Sequence, residues 1–348
     1  MEAAPIWGGE ARPFGPESRP SASESRPSSL GNRPQSGGLE SGARRCPSAR
    51  PNRPPIRGLE VRIGVFGDKA PFGYTDSDGA NVGYDVEYAK RIAKDLGVKL
   101  ELVPVVADSR VEYLTSGKVD VILANFTVTP ERAEKVDFAK PYMKVSLGAV
   151  SRKDAPITSE SQLSGKKILV VKGTTADSYI QAKHPDWKPA KYDQYSDVYN
   201  ALADGRGDVW VTDNTEALAF SRQGENKDKF VTGITQLGPV DTIAGAVQKG
   251  NAPLRNWLNK ELETLGKKFF HKAYEKTLAP VYGDSAKPDE LVVEGGEVDG
   301  AGKGEESGKD GQAGKGQESA SPEASEAPAG AADSGAPDSA DGSQAADK

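Results

Sequence analysis

Residues 119–132, with the sequence VDVILANFTVTPER, combine the features of an apolar strand, a polar turn and a short helix. Thr129 is a good N-cap for that helix, and Pro130 stands at the first helical position, where proline is favoured. Arg132 follows within the first turn. A threonine hydroxyl, free N–H groups at a helix start and a guanidinium together suit a carboxylate. The segment therefore predicts a site for a small acid, although an ordinary turn with a solvated arginine fits the same residues.

The residues before this segment predict an α/β fold. Apolar positions indicate, in order, a strand at 62–66, a helix at 85–96, a strand at 99–105, a helix at 109–116 and a strand at 119–124. Asp85 is the expected N-cap of the first helix, and Gly97 is its expected stop. This β-α-β-α-β order is typical of a parallel sheet with crossover helices.

A second series of the same kind follows near residue 146. Its expected elements are a strand at 168–171, a helix capped by Thr174 or Thr175, a helix capped by Ser196, a strand at 209–212 and a helix at 215–221. Residues 242–248 are strand-like, and Pro253 opens a further helix. The chain is long enough for two such units.

The two ends of the chain differ in composition from the middle. Residues 1–58 are rich in Arg, Pro, Ser and Gly and contain no Lys, which predicts disorder. Residues 285–348 predict an acidic low-complexity tail, in which the partly apolar stretch 290–298 is expected to lie on the folded body. The net charge of −6 gives no argument for nucleic-acid binding.

Several classes of chemistry find no support in the residues. Cys46 is the sole cysteine, so an intrachain disulfide is impossible, and the two histidines have no metal-ligand companions. No stretch of 18 apolar residues predicts a transmembrane helix. Neither a Gly-x-Ser-x-Gly elbow nor a phosphate-binding loop of the Walker type is present. We therefore expect no metal and no cofactor.

Short motifs arranged in series resemble those of a known receptor family. Besides the opening segment they are IGV at 63–65, APFGY at 70–74, VGYDVEYAKRIA at 82–93, VDFAKPY at 136–142, VKGTTA at 171–176 and DVWVTDN at 208–214. The series resembles the type II periplasmic solute-binding proteins of family 3, which are polar amino-acid receptors of ABC importers. It is most similar to the cysteine-binding subgroup, on FGDKAPFGY at 66–74, LANFT at 123–127, FFHKAY at 269–274 and VVEGG at 292–296.

The resemblance implies two α/β lobes joined by two crossing strands and flanked by disordered tails. Lobe 1 would comprise residues 59–143 and 243–284, and lobe 2 residues 144–242. The implied protein is a monomeric receptor and not an enzyme. It would capture a free amino acid, with cysteine the best candidate, and deliver it to a membrane permease powered by a separate ATPase. A periplasmic or cell-envelope location follows from the same resemblance.

The resemblance also implies ligand-binding residues, because both charged ends of an amino acid must be paired in a closed cleft. The expected partners of the carboxylate are Arg132, Thr127, Thr174 and Thr175, and the backbone of Asn125 and Phe126 is expected to contribute to the ammonium and the carboxylate. Asp213 is the expected partner of the ammonium group, although a helix cap is its ordinary alternative. The candidates for an apolar wall are Phe72, Tyr74, Phe126 and Tyr142. Arg110 is expected near the cleft rim, and Lys69 is a further cleft candidate.

Three questions stay open at this point. An arginine at the position of Arg110 pairs with a side-chain carboxylate in related receptors, so aspartate or glutamate is a rival ligand. A fold-related enzyme such as a cyclohexadienyl dehydratase is a rival function, as is an envelope antigen whose transport role is secondary. The family is exported, often as lipoproteins, yet residues 1–30 lack a signal and Cys46 lacks an apolar lead-in. We expect residues 1–58 to include sequence upstream of the true start that hides the signal.

Overall fold

The computed structural model describes residues 58–265 and 268–297. Eleven strands lie in these ranges: β1 (Glu60–Phe66), β2 (Asp68–Lys69), β3 (Gly73–Thr75), β4 (Asn81–Val82), β5 (Lys99–Val105), β6 (Val121–Ile122), β7 (Val136–Arg152), β8 (Ile168–Val171), β9 (Ala190–Tyr192), β10 (Val209–Asp213) and β11 (Phe230–Gln248). The predicted strands at 99–105 and 168–171 match β5 and β8 residue for residue. The strand predicted at 119–124 is shorter, because β6 spans only Val121–Ile122.

Eleven α-helices lie in the same described ranges: α1 (Tyr84–Leu96), α2 (Arg110–Thr115), α3 (Pro130–Lys135), α4 (Thr175–Lys183), α5 (Tyr195–Ala203), α6 (Asn214–Arg222), α7 (Asn226–Lys229), α8 (Ala252–Thr264), α9 (Phe269–Thr277), α10 (Ala279–Tyr282) and α11 (Pro288–Leu291). The helices that the sequence predicts before residue 260 all exist, and most of their bounds shift by one or two residues. No helix in the described part of the chain is both long and apolar enough to cross a bilayer.

The central sheet has eight strands in the order β5-β1-β6-β11-β7-β10-β8-β9. β1 pairs in parallel with β5 and β6, and β8 pairs in parallel with β9 and β10. These two parallel groups confirm the two β-α-β series. The small strands β2, β3 and β4 form a separate antiparallel sheet.

Two long antiparallel strands, β7 and β11, run through the middle of the sheet. At one end Ala246 and Val247 of β11 also pair with β6. At the other end residues 147–151 of β7 also pair with β10. The chain therefore forms two lobes: lobe 1 is built around β5, β1 and β6, and lobe 2 around β10, β8 and β9. The exact residue boundaries given above for the lobes stay a prediction.

Three expected helix ends are confirmed. The hydroxyl of Thr129 accepts the N–H of Arg132 at 3.3 Å, and Pro130 follows at the first position of α3. Thr174 caps α4 in the same way. Gly97 ends α1 with a φ of 66°, a left-handed conformation that glycine adopts without strain.

Two expected caps are wrong. Gly83, and not Asp85, is the N-cap of α1, and Asp85 turns inward from the first turn with 0% exposure. Helix α5 begins at Tyr195, ahead of Ser196. The N–H groups of both residues donate to the carboxylate of Asp68, at 2.8 and 3.3 Å. Asp85 instead binds the distant residue Asn125, and the start of α5 binds the distant residue Asp68. Neither contact leaves a pattern in the neighbouring sequence.

The apolar side chains form a core on each side of the sheet. In lobe 1, helix α1 packs on β1, α8 packs on β7 and α9 packs on α1, with Val86, Leu258 and Phe270 among the buried residues of one core. The stretch after residue 285 adds to this core as expected, because Val292 and Val293 are buried. The N–H of Val293 donates to the carbonyl of Tyr142 at 3.0 Å. Residues 1–57 and 298–348, which include most of both predicted tails and Cys46, lie outside the described residues.

Candidate functional site

Charged and polar residues of both lobes meet where parallel strands end. Lys69 comes just after β1, and Asn125 follows β6. From lobe 2, Gly173 follows β8 and Asp213 ends β10. Carboxyl ends of parallel strands are the usual position of a ligand site in an open α/β sheet. The carboxyl ends of the parallel strands of lobe 1 thus face those of lobe 2.

Lys69 occupies the centre of this meeting point. Its side chain is 1% exposed, and its Nζ donates to Asn125 Oδ1 at 2.6 Å and to Asp213 Oδ2 at 2.9 Å. Burial is the largest single influence and lowers the pKa of Lys69, but Asp213, Tyr195 and Glu216 together outweigh it, so the pKa lies above its usual value. Lys69 is therefore a charged ammonium group that links the two lobes.

Asn125 has an unusual backbone that another buried group supports. Its φ is 43°, in the left-handed region that residues other than glycine rarely adopt. Its N–H donates to Asp85 Oδ2 at 2.7 Å, and Asp85 Oδ1 accepts the hydroxyl of Tyr142 at 2.7 Å. Burial raises the pKa of Asp85 to about 7, although both hydrogen bonds oppose the rise. The chain of contacts from Tyr142 to Asp85 fixes the turn in which Asn125 stands.

Two arginines converge on lobe 2 from lobe 1. Arg110 and Arg132 both donate to the carbonyl of Gly173, at 3.0 and 2.9 Å. Both guanidinium groups also lie near the ring of Phe126, with 4.6 and 4.8 Å from Cζ to the ring centroid. The ring of Phe126 therefore stabilises both cations.

The two arginines differ in how much of their hydrogen-bonding capacity the protein uses. Arg110 is 3% exposed and also donates to the carbonyls of Ala107, Ala124 and Asn125. Arg132 is half-buried, and among the described residues its guanidinium makes one further hydrogen bond, from Nη1 to the carbonyl of Thr127 at 2.8 Å. Arg110 is thus committed to the backbone, whereas Arg132 keeps donors for another acceptor.

The electrostatic surroundings place Arg132 and Asp213 in one neighbourhood. Burial, and after it the positive charge of Arg110, lower the pKa of Arg132 to about 9, while the Asp213 carboxylate acts in the opposite direction. Burial and then Asp213 raise the pKa of Asp241, which Arg132 lowers. A guanidinium and two carboxylates therefore act on one another across the lobes.

Arg132 also lines a cavity of about 420 Å³ between the lobes. The lining residues are Thr129, Pro130, Glu131, Arg132, Leu147, Thr175, Ser178, Tyr179, Leu237, Pro239 and Asp241. Thr175 is the first residue of α4, so the helix start faces this space and offers backbone N–H groups. The volume suits a small metabolite.

The predicted threonines divide into different roles. The hydroxyl of Thr174 donates to the carbonyl of Val171 at 2.6 Å and accepts the N–H of Asp177 at 3.3 Å. It therefore serves as a helix cap, and Thr175 is the one that reaches the cavity. Thr127 is buried beside Arg132 and forms a bridge to Ile243 of β11.

The predicted aromatic wall differs from expectation. Tyr142 is fully buried in the core, stacked on Phe270 with 5.5 Å between ring centroids. Phe72 is also fully buried, with its ring 5.3 Å from Lys69 Nζ. Tyr74 is half-buried in β3 and does not line the cavity. The expected wall role does not fit Tyr142, because its hydroxyl reaches the site only through Asp85.

Sequence reasoning missed Asp241, Asp68 and Asp85 as parts of this region. Asp241 lies within β11, where no motif marks it. Asp68 binds the start of α5 from the other lobe, a contact between residues 127 positions apart in the chain. The sequence pattern predicts a helix cap at Asp85. Its position after Gly-Tyr, next to an apolar helix face, was the available signal that it points inward.

The fold and the convergent charges define a two-lobed binding protein. Residues 61–279 match the model of the bacterial extracellular solute-binding proteins, family 3, and the chain belongs to that family. It is similar to the solute receptor for L-cysteine of Neisseria gonorrhoeae, with 54% identity, a TM-score of 0.65, and coverage of 67% of this chain and 96% of that one.

Two further proteins show the range of ligands named for similar chains. The cysteine-binding protein of Campylobacter jejuni has 50% identity and a TM-score of 0.65, over 67% of this chain and 95% of that chain. The ABC transporter arginine-binding protein 1 of Escherichia coli (strain K12) is 34% identical over 219 residues, which cover 59% of this chain and 85% of that protein. The family membership therefore leaves the ligand open.

Proposed function

We propose that this protein is the substrate-binding receptor of an ABC importer and captures a free polar amino acid, with cysteine as the best candidate. It hands the amino acid to the permease of the importer, which a separate ATPase powers, in the periplasm or at the cell envelope. The observation that carries the proposal is the cavity between the lobes, where Arg132 of lobe 1 faces the start of α4 at Thr175 of lobe 2. The named ligands of the gonococcal and Campylobacter relatives support cysteine.

An amino acid needs one partner for each of its charges. In the proposed complex Arg132 binds the carboxylate, with help from the N–H groups at the start of α4 near Thr175. Asp213 binds the ammonium through its second oxygen, since Lys69 holds only Oδ2. Because Arg132 belongs to lobe 1 and Asp213 to lobe 2, the ligand gains its full set of contacts only when the lobes close.

The surroundings of Arg110 favour cysteine over an acidic ligand. Its donors bind four backbone carbonyls, so a side-chain carboxylate would have to displace one of them. Glu131 and Asp241 line the cavity and would repel a second carboxylate directed that way. A short, neutral side chain meets neither obstacle.

The test is calorimetry of the purified protein against the twenty amino acids under reducing conditions, with cysteine and aspartate first. We expect cysteine to bind with a dissociation constant in the micromolar range, roughly 8 kcal/mol of binding free energy. Tight binding of aspartate alone would overturn the cysteine assignment. Turnover of prephenate or arogenate without amino-acid binding would overturn the receptor itself.

The variant Arg132→Met tests the role of the guanidinium. The ligand carboxylate would be left without its partner, which costs at least about 2 kcal/mol and raises the dissociation constant about 30-fold or more. Arg206→Met is the matched control, because Arg206 is exposed and pairs with Asp204 at 3.2 Å. Equal affinity of both variants for the ligand would refute the assignment.

A further inference from the structure

We propose that residues 286–296 form a strap that docks on lobe 1 beside the hinge, and that protonation of His271 holds this strap in place. The strap follows α10 and includes α11. None of its residues, all of which the structure describes, lines the cavity between the lobes, so the proposed function makes no use of it. The strap gives the strand that joins the lobes a response to pH.

The strap is attached to β7 by backbone contacts and by burial. Val292 forms an antiparallel bridge to Met143, and the N–H of Val293 donates to the carbonyl of Tyr142 at 3.0 Å. Leu291, Val292 and Val293 are buried. The first two of these side chains belong to the same hydrophobic core as Tyr142 and Met143. Docking of the strap therefore completes the core of lobe 1.

The strap lies close to the point where β7 passes from lobe 1 to lobe 2. At Met143 one edge of β7 pairs with Ile243 of β11, so the strap lies on the opposite edge. Further along, at residues 147–151, that opposite edge pairs with β10 of lobe 2. The strap and β10 therefore hold the same edge of β7 on either side of residues 144–146. Release of the strap removes the support on the lobe 1 side, which gives the hinge strand more freedom to bend.

His271 of α9 holds the strap through both nitrogens of its ring. Nδ1 lies 2.8 Å from Glu294 Oε1, and Nε2 lies 2.9 Å from Asp289 Oδ1. Glu294 Oε1 also accepts the backbone N–H of His271 at 3.0 Å. A neutral imidazole has one N–H and one acceptor nitrogen, whereas an imidazolium has two N–H donors. Both ring contacts are therefore hydrogen bonds only when His271 is protonated.

Glu294 makes the docked strap depend on that proton, because its carboxylate is withdrawn from water. The side chain of Glu294 is 11% exposed, and its Oε2 has no hydrogen-bond partner within the described ranges. Among the described residues, His271 is also its one ion-pair partner. A buried carboxylate without a counter-ion is costly. A neutral His271 therefore favours release of the strap, which returns Glu294 to water.

The other charged groups near α9 do not replace His271. The titratable side chains of α1, α10 and α11 that contact or act on α9 are Tyr84, Glu87, Arg91, Tyr282, Asp289 and Glu290. Glu87 pairs with Lys276 at 2.8 Å, and Arg91 lies over the ring of Phe269. Burial, and after it Asp85 and Glu294, raise the pKa of Tyr84, so Tyr84 stays neutral and is no counter-ion.

The sign of the pH response follows from the two carboxylates. Burial lowers the pKa of His271, but Asp289 and Glu294 outweigh it, and the pKa lies above its ordinary value of 6.5. The folded state thus holds this proton more tightly than the unfolded chain. The resulting stabilisation of the docked strap is complete below the ordinary pKa and is lost as the pH rises through the raised one.

The experiment measures hydrogen exchange of the ligand-free, full-length protein by mass spectrometry at pH 5.5 and pH 8. The reporter is the peptide that contains the Val293 amide, whose hydrogen bond to Tyr142 requires the docked strap. Its protection, corrected for the intrinsic effect of pH on exchange, should fall at least about tenfold from pH 5.5 to pH 8, because a charge-assisted hydrogen bond is lost. A peptide from β1 reports global unfolding and should lose less protection than the strap.

His271→Gln removes the titrating group and the charge. Its strap protection at pH 5.5 should lie at least about tenfold below that of the wild type and should vary with pH by less than about threefold. His184→Gln is the matched control, because His184 is the other histidine of the chain and its Nε2 lies 2.8 Å from Glu160 of lobe 2. This control should keep the wild-type dependence on pH. An equal dependence on pH in wild type and His271→Gln, or its loss in His184→Gln, overturns the inference.

Glu294→Gln separates the effect of charge from a loss of packing, and it serves in place of His271→Gln if that variant does not fold. The amide oxygen can still accept the backbone N–H and the Nδ1–H of His271, while the buried charge is gone. Strap protection at pH 8 should therefore equal or exceed that of the wild type. Lower protection than in the wild type at pH 8 overturns the inference. No ligand enters these measurements, so their results are independent of the proposed receptor function.

Discussion

Replacing Asp85 by asparagine should stabilise the protein at pH 8 and flatten the dependence of its stability on pH. The carboxylate is fully buried and accepts the N–H of Asn125 and the hydroxyl of Tyr142, each at 2.7 Å. An asparagine oxygen can accept the same N–H. Its NH₂ group can donate to the Tyr142 hydroxyl, which is also an acceptor. The variant therefore removes a buried charge and keeps one hydrogen bond to each partner, at the cost of the acceptor that the Tyr142 O–H had in the carboxylate.

The magnitude follows from the raised pKa. Burial raises the pKa of Asp85 from 3.8 to about 7 in the folded protein. The folded state thus holds this proton more tightly than the unfolded chain. The resulting stabilisation is complete below about pH 4 and is lost as the pH rises through about 7. A pKa difference of about three corresponds to about 4 kcal/mol, which is the most that Asp85→Asn can recover at pH 8.

The assay is urea unfolding of the ligand-free protein at pH 5 and pH 8. Glu216, whose pKa burial raises to about 7, titrates in the same range in both proteins. The difference between wild type and variant therefore isolates Asp85. We expect the variant to gain roughly 2–4 kcal/mol at pH 8 relative to the wild type, and less at pH 5. A variant with the wild-type dependence on pH would refute the reasoning.

Tyr142→Phe supplies the opposite perturbation. It removes the hydroxyl that lowers the pKa of Asp85, so the pKa should rise further. The unfolding free energy should then decrease more between pH 5 and pH 8 than in the wild type. A smaller decrease in the unfolding free energy than in the wild type would contradict the same reasoning.

Two further perturbations test how the lobes close and how the first helix starts. Asp68→Ala removes the acceptor for the start of α5 across the cleft, which should cost about 1–2 kcal/mol of the closed state and weaken ligand binding roughly 5–30-fold by calorimetry; unchanged affinity would contradict this. Gly83→Ala places a Cβ 2.3 Å from the carbonyl oxygen of Phe72 at a φ of 128° and should lower the unfolding free energy by more than about 2 kcal/mol. Gly117→Ala, at a φ of 70° but with open space around it, is the control for backbone strain and should lose about 1–2 kcal/mol in urea unfolding; equal losses would refute the steric argument.

The fold was predictable from the sequence because its signals are local. The apolar face of α1 ends at Gly97, and Thr129 with Pro130 marks the start of α3, so each element carries its own evidence. The parallel sheet then follows from the alternation of strands and helices. What the sequence could not show is that β11 extends back to Phe230, since polar residues and glycines interrupt the alternation there.

The site was predictable only in part, because its contacts join residues far apart in the chain. Arg132 and Asp213 were marked by their place at strand and helix ends, and the structure brings both to the edges where the lobes meet. The engagement of Lys69 with Asp213 joins residues 144 positions apart. No periodicity in the sequence carries that information. The same holds for Asp85, whose partner Asn125 lies 40 positions away.

The pairing of β7 with β11 bears on the mechanics of the receptor. Five register shifts interrupt this pairing between Thr232 and Ala246, where only Asp241–Ile243 pairs regularly, whereas the pairing is regular at the two ends, from Phe230 to Thr232 and from Ala246 to Gln248. Each regular block is anchored to the sheet of one lobe. Twisting the two blocks against each other deforms the irregular span first, where fewer ladder hydrogen bonds oppose rotation. The crossing strands therefore twist more easily than the sheet of either lobe. The angle between the lobes can change while each lobe keeps its own structure.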